Sequence, residues 1–229
     1  MNQALQMSLP KVDPNRDRPV LAWPDVECLR YFATRCTALV VLFALVYGGT
    51  NYAASFRSGY ALYFNWETST PFVPEWIYVY LSLFLMPLAP LFTVDIGGLQ
   101  RVARAAATAT CIAGLLFLAF PTEPLFQRFE LESAHAMAFG FLYSYDQPHN
   151  LVPSLHVALS TIYTVTVVRF NTRRNGPWWL NAGMAVWFCL LVLSTLLTRQ
   201  HNLVDVPAGL LLGGICYQWH DTRIRRRND

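Results

Sequence analysis

Apolar residues run along this chain in long stretches that charged residues do not interrupt. Six stretches have the length of about 17 to 25 residues that crosses a bilayer core, at 36–55, 73–93, 105–120, 152–170, 178–197 and 203–219. A surface helix of a soluble protein carries polar residues along its exposed face, and these stretches do not. The pattern predicts an all-α integral membrane protein with six transmembrane helices.

Composition and charge support this prediction and orient the chain. Hydrophobic residues make up 54% of the 229 residues, and the mean hydropathy is +0.31. With both termini in the cytoplasm, only Arg57, Arg128 and Arg199 of the 17 Lys and Arg residues lie on the outer side. This asymmetry obeys the positive-inside rule. We therefore expect cytoplasmic termini and an outer side that is lumenal in a eukaryote or periplasmic in a bacterium, with the bacterial inner membrane favoured.

One membrane domain is expected, because no internal repeat or linker divides the chain. It covers 36–219, between a cytoplasmic segment 1–35 and a basic cytoplasmic tail 220–229. The outer loop 121–151 forms either an interfacial helix above the site or a solvated loop. The basic residues predict contact with the membrane and not with nucleic acid. The scattered cysteines predict no metal site and no cofactor, and a homodimer is left open.

Two histidines and an aspartate stand where predicted spans begin. His201 and Asp205 are four positions apart at the start of the last span, and therefore share one face of a helix. A carboxylate one turn from an imidazole can accept its N–H, fix its tautomer and stabilise the imidazolium. The other ring nitrogen is then free to act as a nucleophile.

His156 begins a different span, directly after Pro153, Ser154 and Leu155. A second histidine that faces the first is suited to protonate a departing oxygen as a general acid. Arg199 could bind two phosphate oxygens at once. The backbone N–H groups around Ser154 and Leu155 offer further donors to an anion. Together these residues predict phosphoryl transfer without a metal ion.

Residues 153–156, with the sequence PSLH, resemble the second signature of the type 2 phosphatidic acid phosphatase (PAP2) superfamily, which is usually PSGH. Residues 194–209 resemble its third signature, SRxxxxxHxxxDxxxG. The resemblance implies a six-span membrane enzyme that works through a phosphohistidine. In that family His201 would be the nucleophile, Asp205 would orient it, and His156 would be the acid.

The chain also departs from the family pattern. The first signature, KxxxxxxRP, is missing from the loop before the fourth span, which offers Arg128 and, just before the second motif, Asn150. Thr195 stands where a phosphate-binding arginine is usual, and Leu155 replaces a glycine. PSLH with a basic residue just before HxxxD is similar to the branch of inositol phosphorylceramide and sphingomyelin synthases and many bacterial relatives. We expect Arg199 and Arg128 to substitute for part of the phosphate clamp.

Three functions follow from these residues. The first is a metal-independent lipid phosphatase, in which water attacks the phosphohistidine formed from a lipid phosphate or diphosphate. The second is a lipid phosphotransferase, in which an alcohol replaces the water at the same three residues. The third is a non-catalytic protein that binds haem through His156 and His201, which fits an aspartate-paired histidine at a helix mouth poorly. We favour the phosphatase.

Overall fold

The computed structural model describes residues 20–126, 128, 134–145 and 149–228, and the side chains of all of these except 145 and 223–228. Residues 1–19 of the predicted segment 1–35 thus lie outside the described residues. The α-helices are α1 Val26–Ala54, α2 Ile77–Leu81, α3 Leu88–Thr93, α4 Ile96–Ala119, α5 Ala136–Tyr145, α6 Leu155–Arg173, α7 Trp178–Leu197 and α8 Asp205–Asn228. Short 3₁₀ helices lie at Asn65–Ser69, Pro74–Trp76 and Ser82–Leu85. The predicted all-α class is confirmed.

Capping side chains determine where the long helices begin. The Asp25 carboxylate accepts the Cys28 N–H at 2.7 Å, and α1 therefore begins ten residues before the predicted first span. The Asp95 carboxylate accepts the Gly98 N–H at 2.7 Å, and α4 begins nine residues before the predicted third span. Both predicted starts were too late because they followed the first uninterrupted apolar residues and ignored the caps.

The second predicted span, 73–93, is not one continuous helix. The chain there forms the 3₁₀ turn Pro74–Trp76, then α2, the 3₁₀ turn Ser82–Leu85 and α3. Pro87 directly precedes α3 and Pro90 lies inside it. A proline ring removes a backbone N–H and clashes with the preceding turn, so a straight helix cannot pass. The prediction of one continuous helix here is wrong, whereas the crossing of the membrane by this segment stays a prediction. Helix α2 packs against α7.

Three of the described helices, α1, α4 and α7, are long and apolar enough to cross a membrane. Their surfaces expose large apolar side chains that water disfavours, among them Val40, Leu45, Leu115 and Val186. Helix α6 differs because it is enclosed by α3, α4, α7 and α8. Its hydroxyl side chains, such as Thr161 and Thr166, donate to carbonyls one turn earlier. The number of six spans and the cytoplasmic termini stay predictions.

Glycines allow α8 to lie directly against α6. A Cβ atom at Gly209 would lie 2.5 Å from the Ser154 carbonyl oxygen and 2.9 Å from Val157 Cβ. A Cβ at Gly213, one turn later, would overlap the Ala158 carbonyl. Small residues four positions apart are the arrangement with which membrane helices approach most closely. The first turns of α6 and α8, which carry the candidate residues, are thereby held together.

A cluster of ion pairs around the buried Asp221 joins the other ends of the same helices. The Asp221 carboxylate on α8 lies 3.1 Å from the guanidinium of Arg101 on α4. It also lies 3.5 Å from Arg169 and 3.4 Å from Arg173, both on α6. Helix α8 continues through the predicted tail as far as Asn228, since arginine is a good helix former. Helices α6 and α8 are therefore held together at both ends, and α4 is joined to them at the Asp221 end.

Candidate active site

His201 lies in the turn between α7 and α8, and Asp205 is the first residue of α8. His201 Nδ1 lies 2.9 Å from Asp205 Oδ2, and the same oxygen accepts the Asn202 N–H at 2.8 Å. Asp205 is completely buried. Because a carboxylate only accepts, the His201 proton is held on Nδ1, and the lone pair is left on Nε2.

The turn that carries His201 is short and tightly held. The Thr195 carbonyl accepts the N–H groups of both Gln200 and His201 at 3.1 Å. Arg199, directly before Gln200, has a left-handed backbone with φ of 56°. For a residue with a side chain this conformation costs about 1–3 kcal/mol and persists only where its surroundings enforce it. The turn therefore gives His201 little freedom to leave Asp205.

Ser154 joins the beginning of α6 to His201. Its hydroxyl lies 3.1 Å from His201 Nε2 and caps α6 by accepting the Val157 N–H at 3.3 Å. The Ser154 N–H donates to the Asp205 carbonyl at 3.2 Å. The first N–H groups of a helix, together with its dipole, favour an anion at this position. His201 Nε2 thus lies at a helix mouth that is suited to a phosphate.

His156 is the second residue of α6, and its ring faces that of His201. The centroids of the two imidazole rings are 5.8 Å apart. His156 Nδ1 lies 3.0 Å from the hydroxyl of Tyr80, whose ring lies against the imidazole with centroids 4.2 Å apart. Tyr80 is completely buried and packs with Phe139 and Leu142 of α5. The loop 121–151 therefore contains a helix, as one of the two predicted alternatives requires, and this helix packs against Tyr80. Its interfacial position above the site stays a prediction.

Glu67 is a buried acid beside the site that the sequence analysis did not identify. Its Oε2 accepts the Leu203 N–H at 2.6 Å, and its Oε1 accepts the Phe64 N–H at 2.8 Å. Only 4% of the residue is exposed. It ties the loop 56–72 to the turn that follows His201. No spacing signal indicates its contact with the site, since Leu203 lies 136 residues away along the chain, whereas Phe64 is a local partner three residues away.

The two predicted phosphate-binding arginines have other partners in this structure. The Arg199 guanidinium donates to the Thr70 carbonyl at 2.7 and 3.2 Å and lies 4.2 Å from the centroid of the Phe126 ring. The Arg128 guanidinium lies over the Tyr143 ring at 4.5 Å. The Arg199 contacts join Thr70 and Phe126 to the turn before α8, and the Arg128 contact joins two parts of the loop 121–151. A role for either arginine in phosphate binding stays a prediction.

Asn150 and Leu155 also contact structural neighbours. The buried Asn150 amide donates to Thr50 Oγ1 at 2.7 Å and to the Tyr47 carbonyl at 3.0 Å, which fastens the loop before α6 to α1. The Leu155 side chain is part of the hydrophobic core between the helices. The structure therefore brings together Ser154, His156, His201 and Asp205, and it places the Asn150 and Leu155 side chains in packing positions.

An apolar cleft of about 540 Å³ opens beside the site. Its lining comes from α4, α8, the loop after α1 and the segment before α6. The residues are Tyr60, Leu62, Leu116, Phe120, Val152, Pro153, Ala208 and Leu212. Pro153 directly precedes Ser154, and Ala208 lies one turn after Asp205. The cleft therefore begins within one turn of the groups that contact His201, and its surface suits hydrocarbon.

Comparison with known proteins identifies the family. The family model described as the PAP2 superfamily matches residues 54–219, which is well over half of the chain. No curated protein and no solved structure matches the chain. Within the described residues, no group of three or more His, Cys, Asp and Glu side chains is arranged to hold a metal ion. The matched region contains every helix from α2 to α7 and the residues around His201, and the chain belongs to the PAP2 superfamily.

Proposed function

We propose that this protein is a metal-independent membrane lipid phosphatase that forms a phosphohistidine at His201. The observation that carries the proposal is the pair of contacts on His201. Asp205 holds its Nδ1, and its Nε2 faces Ser154 at the mouth of α6. His156 stands on the same side, with its ring 5.8 Å away. This supplies a fixed nucleophile, a helix end for the phosphate and a second proton-transfer group.

In the first step, the Nε2 lone pair of His201 attacks phosphorus. The bond between phosphorus and the ester oxygen breaks, and its electron pair goes to that oxygen. The His156 imidazolium gives its Nε2 proton to the same oxygen, so the lipid leaves as a neutral alcohol. The Asp205 carboxylate stabilises the positive ring of the phosphorylated His201.

In the second step, water replaces the departed alcohol. Neutral His156 takes a proton from the water as its oxygen attacks phosphorus. The bond between phosphorus and His201 Nε2 breaks, and its electron pair returns to the imidazole. Inorganic phosphate leaves, His156 is protonated again, and the net reaction is hydrolysis of one phosphate ester.

The apolar cleft supports a lipid substrate. It lies next to Pro153 and Ala208, and its volume of about 540 Å³ is that of a small-molecule site. The apolar candidate span α4, which contributes Leu116 to the cleft, supports entry of a lipid chain from the bilayer. The asymmetry of basic residues supports an outer, periplasmic position for the site in a bacterial inner membrane.

A second candidate, the lipid phosphotransferase, is favoured by the charges around His201. Two buried carboxylates, Asp205 and Glu67, lie near the nucleophile, while the Arg199 guanidinium is engaged by Thr70. A phosphomonoester carries about −1.5 to −2 charges at neutral pH. A phosphodiester carries one negative charge, so the two carboxylates repel it less. Transfer of the phosphorylated headgroup from such a diester to an alcohol would use the same His156 and His201.

Purified protein incubated in EDTA with phosphatidic acid, phosphatidylglycerophosphate or polyprenyl diphosphate tests the proposal. Release of inorganic phosphate supports the phosphatase, and His201→Ala should abolish it while the protein stays folded. In a parallel incubation the substrate is a phosphodiester lipid. Formation of a new phospholipid only when diacylglycerol or ceramide is added supports the transferase. Turnover that depends on added magnesium would contradict both, and so would near-normal turnover by His201→Ala.

A further inference from the structure

The two histidines of the site have different partners on Nδ1. The partner of His201 is a carboxylate, Asp205 Oδ2, at 2.9 Å. The partner of His156 is a neutral hydroxyl, that of Tyr80, at 3.0 Å. A carboxylate stabilises a positive ring strongly, whereas a phenol, which stays protonated to about pH 10, aligns the ring with little preference for its charge. The difference matches two rings with different tasks.

We propose that Tyr80 is the positioning residue of the general acid. Its hydroxyl oxygen accepts the Nδ1–H of His156, so that Nε2 points into the site. The proposal rests on the proposed function, in which His156 donates a proton to the leaving oxygen. Tyr80 itself touches neither phosphate nor leaving group and acts only through His156.

This hydrogen bond fits every stage of the proton cycle. As the imidazolium of His156, the ring has a proton on each nitrogen, and it gives the Nε2 proton to the leaving oxygen. The remaining proton stays on Nδ1, donated to Tyr80, and the Nε2 lone pair can then accept a proton from water. The opposite neutral tautomer, with its proton on Nε2, has no lone pair at that position. With the Tyr80 hydroxyl oxygen accepting from Nδ1, as proposed, the neutral His156 ring has the tautomer that the second step requires.

A carboxylate in place of Tyr80 would serve this task poorly. Glu67 and Asp205 already place two buried acids near His201, and a third would repel the phosphate further. The neutral phenol supplies an acceptor without adding charge. Its position is also fixed, because Tyr80 is completely buried and is held by Phe139 and Leu142 of α5.

The test is Tyr80→Phe, which keeps the ring and removes the hydroxyl. The matched control is Tyr78→Phe on the same helix, since the Tyr78 hydroxyl contacts the imidazole of His135, outside the site, at 3.3 Å. kcat/KM is measured with phosphatidic acid, whose alkoxide needs an acid, and with para-nitrophenyl phosphate, whose phenolate does not. Tyr80→Phe should lower kcat/KM for phosphatidic acid about tenfold, the effect of one net hydrogen bond. The value for para-nitrophenyl phosphate should change by less than about twofold, and Tyr78→Phe should change neither.

Nitrogen NMR of protein with labelled histidine tests the tautomer without relying on activity. The His156 signal, identified by its loss in His156→Gln, should show Nδ1 protonated in the native protein and a mixture of tautomers in Tyr80→Phe. Equal losses for both substrates, no loss for either, or a native His156 ring protonated only on Nε2 would overturn the proposal. If the native spectrum shows Nδ1 protonated but no phosphohistidine forms at His201, the proposed function fails and the role of Tyr80 in ring orientation stands.

Discussion

Asp205→Asn tests how the buried carboxylate acts on His201. Asp205 Oδ2 accepts from both His201 Nδ1 and the Asn202 N–H, while Oδ1 has no hydrogen-bond partner among the described residues. In the variant, the amide oxygen should keep the Oδ2 position, because the amide nitrogen there would meet the Asn202 N–H as a second donor. The tautomer of His201 is then preserved, and only the charge of the acceptor is lost.

The expected loss follows from that single change. A hydrogen bond between charged groups contributes about 1.5–3 kcal/mol and a neutral one about 0.5–1.5 kcal/mol. The activation free energy should rise by roughly 1–2 kcal/mol. Turnover should therefore fall about five- to thirtyfold, since 1.36 kcal/mol corresponds to a factor of ten. The amide nitrogen at the Oδ1 position has no acceptor, so the variant should also lose about 1–3 kcal/mol of stability.

The assay is phosphate release from phosphatidic acid in EDTA, with thermal unfolding of each variant measured in the same detergent. The same exchange in a His201→Ala background should cost almost nothing further, because residues that act as a unit are strongly non-additive. Unchanged turnover in Asp205→Asn, or equal losses with and without His201, would separate Asp205 from the reaction. A loss of about 10⁴-fold would instead mean that the amide is flipped and selects the wrong tautomer, as in a serine-protease triad.

Three further predictions concern packing, the cleft and topology. Gly209→Ala should lower both the melting temperature and turnover by overlap with the α6 backbone, at a cost of about 1–3 kcal/mol, while Gly214→Ala, with nothing within 4 Å, should lower neither. Ala208→Trp should raise KM for long-chain phosphatidic acid but not for para-nitrophenyl phosphate; equal effects would mean that the cleft does not bind the chain. In a cysteine-free background, Gln200→Cys should react with an impermeant maleimide added to intact cells, and a cysteine in the tail 220–229 should not; the reverse would invert the topology.

Much of the fold could be predicted because long apolar runs have few alternatives to helices in a membrane. The exceptions have local causes. Pro87 and Pro90 break the second span, although their apolar neighbours hide them in a hydropathy profile. Asp25 and Asp95 extend α1 and α4 beyond their apolar runs, because a cap acts through one hydrogen bond that hydropathy does not record.

At the site, spacing along a short segment carried information and contacts between distant segments did not. The spacing of His201 and Asp205 predicts a shared helix face; His201 instead lies in the turn before α8, but its Nδ1 is still 2.9 Å from Asp205 Oδ2. Tyr80 and Glu67 come from segments with no motif and reach the site only through the tertiary fold. Arg199 was assigned to phosphate by its position in the sequence, yet the same position lets its guanidinium bind the Thr70 carbonyl.

The central claim is that phosphate is carried covalently on His201, and a trapped intermediate tests it most directly. His156→Ala removes the base of the second step, so this variant should accumulate a phosphoenzyme when supplied with labelled para-nitrophenyl phosphate in EDTA. We expect an acid-labile, base-stable label that mass spectrometry assigns to the peptide containing His201, and no label when His201→Ala is added. Label on a residue other than His201 would contradict the account. So would the absence of label in His156→Ala when the wild-type protein hydrolyses the same substrate.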